Sequence, residues 1–343
     1  MQAIILAGGF GTRLAPLTYT KAKPMLPLLN KPMISYLIKA LPSGTEIIVA
    51  ANYKKEQLEE YFDANGINAI VNPEPKPLGT AGAVKNASRY INGTFMVLNG
   101  DIISSLNIRK FIQYHIKKKA KITISLWPVK NVEQFGVVDI DKDGRIKKFV
   151  EKPLRHEAPS NLINAGAYCV DYEILDYIPD GKFTSMEMEI FPRVIEDGLP
   201  FYGYSFNGYW IDVGRMESYI EANKILLKKN GLKALIGENC MMKGSVKESS
   251  IGNDCIIGEN SEVKSSILYE NVKVGENAKI ENSIVGSNVV VRKGAIIKNS
   301  IVGDGEIIEG NIENKRVWSK EMPKGYPKKQ IGNVVRNGNC LLV

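Results

Sequence analysis

The 343-residue sequence lacks an apolar run near eighteen residues, so it offers no candidate for a membrane-spanning helix. Its first apolar stretch is too short for a signal peptide and has no basic segment before it. Four scattered cysteines form no CxxC pair, which argues against both a zinc site and a disulfide framework (Cys169, Cys240, Cys255 and Cys340). We therefore expect a protein of the reducing cytoplasm that does not bind membranes.

The charge balance favours an anionic partner. The formal net charge is +8, which suits either an anionic small molecule or a nucleic acid. The basic residues are dispersed and are not interleaved with aromatic residues, so nucleic acid is the poorer interpretation. With 44% apolar and 24% charged residues, the composition is that of a globular protein, and the length predicts two domains.

A glycine-rich loop follows the first apolar run. Residues 3–7 are typical of a buried parallel strand, and Gly8-Gly9-Phe10-Gly11-Thr12-Arg13 follows directly. The loop lacks the GK[ST] ending of a Walker loop and the third glycine of a dinucleotide fingerprint. Bare backbone N–H groups here, with the cations of Arg13 and Lys23 nearby in sequence, predict a site for a nucleoside triphosphate. The alternative is a merely tight strand–helix turn.

Strands and helices alternate through residues 1–100, which predicts a mainly parallel sheet with helices on both faces. In such sheets ligands lie beyond the carboxyl ends of the strands. The Gly8 loop, the loop of residues 74–80 and Asp101 all follow predicted strands, so we expect them to converge. Strand signals dominate residues 122–170 and indicate an antiparallel extension, and residues 216–229 form an amphipathic helix.

Beyond residue 230 the sequence repeats with a period of 17 over four copies. Serines recur in phase, and so do two apolar columns (Ser249, Ser266, Ser283, Ser300; Ile251, Leu268, Val285, Val302; Ile257, Val274, Val291, Ile308). Spacings of five, six and six residues within each copy predict a triangular parallel β-helix with a narrow aliphatic core. A loosely β-rich domain would not produce columns in phase.

Eight motifs in order carry a resemblance that covers nearly the whole chain: AGGFGTRLAPLT, KAKPMLPLLNKPMI, PLGTAGAV, VLNGD, FGVV, VEKP, INAGAY and GYWIDVG. The sequence resembles the sugar-1-phosphate nucleotidyltransferases, or NDP-sugar pyrophosphorylases. The resemblance implies an α/β fold: a Rossmann-like mixed, mainly parallel sheet followed by a left-handed parallel β-helix. The expected domains are a catalytic domain (residues 1–229), the β-helix (230–313) and a basic tail (314–343).

The resemblance implies that an NTP and a sugar 1-phosphate react to an NDP-sugar and pyrophosphate, with Mg²⁺ as cofactor. The implied catalytic residues are Arg13 and Lys23 on the phosphates, and Asp101 and Asp212 as metal ligands. It further implies two substrate-binding sets. The nucleotide set is Leu6, Ala7, Gly8, Gly9, Gly11, Thr12, Arg13, Glu74, Gly79 and Thr80, and the sugar-phosphate set is Gly136, Glu151, Lys152 and Asn164.

The positions of Asp101 and Asp212 in the sequence suit a role as metal ligands. Mg²⁺ usually takes one or two protein carboxylates together with phosphate oxygens and water. Asp101 closes a buried strand, and Asp212 lies between Ile211 and Val213, where an aspartate is costly without a partner. The alternative for each is a helix N-cap, Asp101 for the helix that follows Asn107 and Asp212 for the helix that begins at Met216.

Glu74 is the residue on which the choice of base depends. Relatives that use pyrimidine nucleotides typically carry glutamine five residues before the glycine that corresponds to Gly79. A carboxylate only accepts hydrogen bonds, and guanine offers two adjacent donors, N1–H and N2–H₂. With motifs that look most like mannose-1-phosphate guanylyltransferases, this favours GTP and mannose 1-phosphate. A glucose-1-phosphate thymidylyl- or uridylyltransferase and a catalytically silent scaffold subunit are the alternatives.

We expect the β-helix to be structural and to mediate homo-oligomerisation. Some β-helices of related enzymes carry an acetyltransferase that uses a histidine base. The two histidines of this chain, His115 and His156, both precede residue 230, so that mechanism has no base in residues 230–313. The basic tail of residues 314–343 has no clear role from sequence, beyond a cap or an oligomer contact.

Overall fold

The computed structural model describes residues 1–327 and the backbone of the strand Val334–Val335. The chain divides into two compact units, one of Met1–Gly9 with Ile34–Trp210 and one of Phe10–Met33 with Ile211–Val343. Within the described residues, no helix combines the length and the apolar character needed to cross a bilayer.

The first unit is built on a nine-stranded mixed sheet. Its main path runs in the spatial order Ile146–Glu151, Gly136–Ile140, Leu162–Val170, Phe95–Asn99, Gln2–Leu6, Glu46–Ala51 and Ala69–Pro73, with Ile122–Pro128 and Phe201–Ser205 on a side branch. The four strands of this sheet that precede residue 100 pair in parallel. The strand Leu162–Val170 turns the sheet antiparallel. Both the parallel core and the antiparallel extension predicted from the sequence are confirmed.

Helices cover this sheet with apolar faces, as the 3.6-residue spacing predicts. They are Met33–Ala40, Lys55–Ala64, Gly79–Asn86, Ile108–Lys118 and Phe191–Glu196, with short 3₁₀ segments at Ser88–Tyr90 and Tyr172–Tyr177. The sequence of residues 185–197 predicts one continuous helix, but in the structure its first part, Met186–Ile190, is a π-helix. The Ser185 hydroxyl accepts hydrogen bonds from the N–H groups of Glu187 and Met188 at its start.

The parallel strands end at one edge of the sheet. Leu6 pairs in register with Asn99 on one side and with Ala50 on the other. Beyond this register the Gly100 N–H donates to the Leu6 carbonyl at 2.9 Å, and the Ala7 N–H donates to the Ala50 carbonyl at 2.8 Å. The segments that begin at Gly8, Glu74 and Asp101 therefore leave the sheet at the same edge, as expected for a ligand-binding edge.

The second unit contains the predicted β-helix, whose strands stack in parallel on three faces. The first face comprises Leu235–Ile236, Ser250–Ile251, Ile267–Leu268, Ile284–Val285, Ile301–Val302, Arg316–Val317 and Val334–Val335. The second comprises Met241–Met242, Ile256–Ile257, Lys273–Val274, Val290–Val291 and Ile307–Ile308. The third comprises Ser245–Lys247, Glu262–Lys264, Lys279–Glu281, Ile296–Lys298 and Ile312–Glu313.

The columns in phase are confirmed at the level of single residues. Ile251 pairs with Leu268 and Leu268 with Val285, one coil of 17 residues apart. The serine column forms a ladder: the Ser283 N–H donates to the Ser266 hydroxyl at 3.1 Å, and the Ser300 N–H donates to the Ser283 hydroxyl at 3.1 Å. Each serine hydroxyl thus satisfies a buried backbone group of the next coil.

The remaining segments of the second unit surround the β-helix. The helix Met216–Lys229 lies on the first face, where the Ser250 hydroxyl donates to the Asn223 side chain at 2.8 Å. The segment Phe10–Met33 contributes short helices and a hairpin (Thr12–Leu14, Leu17–Thr20, Lys23–Met25, and strands Pro27–Leu28 and Lys31–Pro32). Arg316–Val317 and Val334–Val335 continue the first face past residue 313, so part of the predicted tail belongs to the stack, while the rest of residues 328–343 lies outside the described residues.

Candidate active site

In the first unit, Gly8 and Glu74 are in contact. A β-carbon placed on Gly8 would lie 2.5 Å from Glu74 Oε1, so only glycine leaves room for this carboxylate. The sequence predicted both as nucleotide-binding residues from motifs more than sixty residues apart. The fold brings them together because the strands that precede them end at the same edge of the sheet.

The Glu74 side chain is buried, with 9% of its surface exposed. The Leu78 N–H donates to Oε2 at 3.2 Å. Burial raises the pKa of Glu74 above its ordinary value, because desolvation disfavours the charged form, and the hydrogen bond from Leu78 opposes this only in part. A buried acceptor with one internal donor keeps capacity for donors from a ligand.

Gly79 and Thr80, also predicted to bind the nucleotide, begin a helix that packs closely on residues 182–184. Gly79 has a φ of +73°, and a β-carbon there would lie 2.5 Å from the Thr184 carbonyl oxygen, so glycine is required. The Thr80 hydroxyl donates to Glu187 Oε2 at 2.7 Å and accepts from the Met186 N–H at 2.9 Å. The Thr80 hydroxyl therefore fixes the π-helix, and contact with a nucleotide through it stays a prediction.

Three of the predicted sugar-phosphate residues lie on three adjacent strands of the first unit, and Lys152 directly follows the strand that ends at Glu151. Glu151 pairs in register with Gly136, and a β-carbon on Gly136 would lie 2.8 Å from Glu151 Oε2 and would overlap the Phe149 ring. Lys152 Nζ lies 2.8 Å from Glu151 Oε1, with most of its side chain exposed. The fold thus presents one exposed ammonium group beside a half-buried carboxylate.

Asn164 is held from two sides. Its amide Nδ2 donates to the Tyr168 hydroxyl at 2.9 Å, and its Oδ1 accepts from the Gly166 N–H at 3.0 Å. The Tyr168 hydroxyl donates in turn to Glu187 Oε1 at 3.1 Å. Because Glu187 also accepts from Thr80, one carboxylate connects a predicted nucleotide residue with a predicted sugar residue.

In the second unit, Arg13 and Asp212 meet at Gly214. A β-carbon placed on Gly214 would lie 2.8 Å from Arg13 Nη2 and 2.8 Å from Asp212 Oδ1. Arg13 lies in the 3₁₀ segment Thr12–Leu14, and Asp212 ends the strand Trp210–Asp212. Two predicted catalytic residues, separated by almost two hundred positions, are therefore neighbours across a residue without a side chain.

Gly11, Thr12 and Lys23 also lie in the second unit. Gly11 has a φ of +67°, and its missing side chain leaves room for Thr18 and for the stem of Lys23, 2.9 Å and 3.2 Å from an added β-carbon. The Gly11 carbonyl accepts from the Leu14 N–H at 2.9 Å and from the Thr18 hydroxyl at 3.1 Å. Hydrogen bonds within the turn therefore hold its shape, and the stem of Lys23 packs against Gly11.

The two N-cap alternatives for the aspartates are wrong. Asn107 caps the helix Ile108–Lys118 by accepting from the Lys110 N–H at 3.0 Å, and Arg215 with Ser218 begins the helix Met216–Lys229. Within residues 1–327, no group of three or more His, Cys, Asp or Glu side chains is placed to hold a metal ion. Mg²⁺ takes one or two protein carboxylates when substrate phosphates complete its coordination, and the role of Asp101 and Asp212 as its ligands stays a prediction.

Two residues of the site were missed from sequence. Glu187 accepts hydroxyl hydrogen bonds from Thr80, Tyr168 and Ser185. The only sequence signal was a serine two positions before a glutamate at a predicted helix start. Gly214 ends the GYWIDVG motif, yet nothing in the sequence indicated that its bare Cα separates Arg13 from Asp212.

The chain is similar to known proteins over most of its length. Residues 2–229 match the Nucleotidyl transferase family, and residues 230–336 match the family described as GMPPB C-terminal domain. A mannose-1-phosphate guanylyltransferase of Mycobacterium tuberculosis is 31% identical over 292 residues, with 80% of this chain and 81% of that protein covered. A UTP–glucose-1-phosphate uridylyltransferase of Synechocystis is 30% identical over 322 residues, covering 79% and 83%.

Among solved structures, HddC from Yersinia pseudotuberculosis complexed with GMP-PN has a TM-score of 0.55 and 31% identity. It matches 66% of this chain and 99% of its own. The family match spans residues 2–229, and curated relatives share 30% identity or more over most of their length. This chain belongs to the nucleotidyl transferase family.

Proposed function

We propose that this enzyme transfers GMP from GTP to mannose 1-phosphate and releases pyrophosphate. The single observation that supports this choice is the buried Glu74 carboxylate against Gly8, at the edge of the sheet where the nucleotide is expected. An ionised carboxylate can accept both donors of a guanine edge, whereas it would repel the carbonyl oxygens of a pyrimidine. The guanylyltransferase relatives point to the same substrate pair.

The reaction needs positioning and charge neutralisation more than covalent help from the enzyme. An oxygen of the sugar phosphate attacks the α-phosphorus of GTP in line and forms the new P–O bond. The bond between the α-phosphorus and the bridging oxygen breaks, and its electron pair leaves with pyrophosphate. Charge on the leaving group and on the equatorial oxygens must be balanced as this happens.

We assign this balance to a small set of charged and polar side chains. Arg13 and Lys23, two cations close to the glycine loop in sequence, would bind the triphosphate. Lys152, exposed beside Glu151, would bind the phosphate of the sugar phosphate. Glu151 and Asn164 would form hydrogen bonds with the hydroxyl groups of the sugar. Mg²⁺ held by Asp101 and Asp212, when bound, would supply further positive charge to the phosphates.

The uridylyltransferase relative keeps a second candidate, UTP with glucose 1-phosphate, open to test. A third, a scaffold subunit without activity, has little support, because the arginine, lysine and aspartates expected of an active member are all present. Release of pyrophosphate separates the scaffold from both enzymes, since a scaffold releases none.

The deciding experiment incubates purified protein and Mg²⁺ with each of four NTPs, crossed with mannose, glucose and glucosamine 1-phosphate, and measures pyrophosphate. We expect the highest kcat/KM with GTP and mannose 1-phosphate. A preference for UTP or dTTP would contradict the role assigned to Glu74. Omission of Mg²⁺ with added EDTA should abolish turnover.

We also propose that the chain forms homo-oligomers through the second face of its β-helix, in the cytoplasm where its substrates would be found. The outward residues of that face include Met241, Ile256 and Ile307, which are 53%, 37% and 42% exposed. The third face carries charge pairs between coils instead, such as Lys279 with Glu262 at 3.3 Å. Light scattering should give a multiple of 38 kDa, and Ile256→Lys with Ile307→Lys should reduce that mass.

A further inference from the structure

An aromatic cluster behind the glycine loop joins the loop segment to residues that follow the β-helix. The Tyr326 ring contacts Tyr19 at 4.8 Å and Phe10 at 5.7 Å between centroids, both edge to face. Tyr19 contacts Trp318 in the same way at 5.3 Å. Tyr19, Trp318 and Tyr326 are all buried, which makes this a packed contact within the second unit.

The hydroxyl of Tyr326 reaches the backbone of the loop. It lies 2.7 Å from the Thr18 hydroxyl and 3.3 Å from the Phe10 carbonyl oxygen, and Thr18 lies 3.1 Å from the Gly11 carbonyl oxygen. Two hydroxyl protons serve this set. Either Tyr326 donates to Thr18 and Thr18 to Gly11, or Thr18 donates to Tyr326 and Tyr326 to Phe10.

In both arrangements the pair of hydroxyls holds a carbonyl group of the loop. A trans peptide is planar, and its N–H points opposite to its C=O. Holding the Phe10 carbonyl therefore fixes the N–H of Gly11, and holding the Gly11 carbonyl fixes the N–H of Thr12. Gly11 and Thr12 are two of the residues assigned to the triphosphate.

The same segment holds the loop at a second point. Arg316 Nη1 donates to the Ala15 carbonyl at 2.8 Å, two residues beyond Arg13. Burial lowers the pKa of Arg316, which remains a guanidinium at neutral pH. The backbone on both sides of Arg13 is thus held from residues 316–326.

We propose that Tyr326 is a positioning residue for nucleotide transfer: with Thr18 it aims the Gly11 and Thr12 N–H groups at the triphosphate, which presupposes the function proposed above. The residues after the β-helix then act on the reaction through the loop, without touching the substrate. Two N–H groups that are already oriented bind an anion more tightly than mobile ones, because no reorganisation is needed on binding.

The main test compares Tyr326→Phe, which keeps the ring and removes the hydroxyl, with Thr18→Val and Thr18→Ser. Tyr326→Phe and Thr18→Val should raise the KM for the nucleotide about fivefold or more and leave the KM for the sugar phosphate within about twofold, as loss of one hydrogen bond near a charge implies. Thr18→Ser keeps the hydroxyl group and should therefore retain the wild-type KM values. The double variant Tyr326→Phe with Thr18→Val should raise the nucleotide KM at least as much as either single variant, because each single variant keeps one hydroxyl that can donate to a loop carbonyl.

The matched control is Tyr269→Phe. Tyr269 is a buried tyrosine of the same unit whose hydroxyl lies 3.2 Å from that of Tyr219, so its loss removes a comparable bond away from Phe10 and Gly11. Its nucleotide KM should stay at the wild-type value. An unchanged nucleotide KM in Tyr326→Phe, or an equal rise for both substrates or in the control, would overturn the positioning role.

Hydrogen exchange of the nucleotide-free protein separates failure of this role from failure of the proposed function. Amides of residues 10–15 should exchange faster in Tyr326→Phe than in wild type or Tyr269→Phe, whatever reaction the enzyme performs. Equal exchange in all three proteins would refute the positioning role even if GTP is the substrate. If exchange is faster in Tyr326→Phe but the wild-type protein releases no pyrophosphate, the proposed function is refuted. The result would still show that Tyr326 holds the loop.

Discussion

The carboxylate of Glu74 occupies the space that a side chain at Gly8 would need, with Oε1 2.5 Å from the position of an added β-carbon. The backbone of Gly8 does not have a left-handed φ, so a β-carbon there would cause no backbone strain but would force the Glu74 carboxylate to move. This contact ties the residue proposed to choose the base to the loop proposed to bind the phosphates.

We predict that Glu74→Gln lowers kcat/KM for GTP by about ten- to a hundredfold, corresponding to roughly 1–3 kcal/mol for an impaired pair of hydrogen bonds. The carbonyl oxygen of the glutamine amide can still accept one hydrogen bond from guanine. Its NH₂ group, however, is a donor and would face the other guanine donor. Activity with UTP or dTTP should rise relative to GTP. Steady-state kinetics with Glu59→Gln, an exposed glutamate paired with Lys55, provide the control. An unchanged ratio of GTP to UTP activity would exclude Glu74 from base selection.

The pH dependence of GTP binding should reveal the same carboxylate. Burial raises the pKa of Glu74, and the ionised form is the one that accepts two hydrogen bonds from guanine. The KM for GTP should therefore increase as the pH falls, beginning at a higher pH than an exposed glutamate would give. Glu74→Gln has no group to titrate at this position, so this part of the pH profile should be flat in the variant.

The sequence predicted the fold well because its signals are local and repeated. The 17-residue phase fixes which residues stack, and the observed register pairs Val263 with Ile280 and Ile280 with Ile297 as that phase requires. The parallel strands could be identified from short apolar runs that end in glycine or polar loops. The bounds of the helix Met216–Lys229 agree with those expected from sequence.

The details of the site could be predicted only in part, because they depend on side chains that are distant in sequence. Motifs identified Arg13 and Asp212, but the bare Cα of Gly214 between them follows from three-dimensional packing. Thr80 was expected at the nucleotide, and its hydroxyl instead binds Glu187. Tyr326 carried no signal at all, since an isolated tyrosine in a Pro- and Gly-containing segment resembles any loop residue.

We predict that Gly214→Ala reduces kcat by at least about tenfold with little change in thermal stability. The new methyl group would displace Arg13 Nη2 and Asp212 Oδ1, the ends of two side chains that can move, so the cost falls on their positions and not on the backbone. Gly93→Ala is a matched control, since nothing lies within 4 Å of a β-carbon there. Wild-type kcat in Gly214→Ala would show that the Arg13 and Asp212 positions are not critical.

The two histidines of the chain provide an internal comparison for acid stability. His115 is buried, and its Nδ1 lies 2.9 Å from the Thr123 hydroxyl, whereas His156 is exposed. Burial lowers the pKa of His115 from 6.5 to about 4, with Asp171 opposing this in part. Between these values the unfolded state binds a proton that the folded state does not, so stability decreases as the pH falls through this window.

We therefore predict that His115→Gln weakens the loss of stability between pH 7.5 and pH 5 by about 2 kcal/mol relative to wild type, because glutamine does not titrate. Urea unfolding at the two pH values measures the difference, and comparing each protein with itself removes the cost of the substitution. His156→Gln, a matched substitution at the exposed histidine, should lose stability as wild type does. A parallel loss in all three proteins would mean that His115 is protonated in the folded state, and that carboxylates elsewhere cause the acid sensitivity.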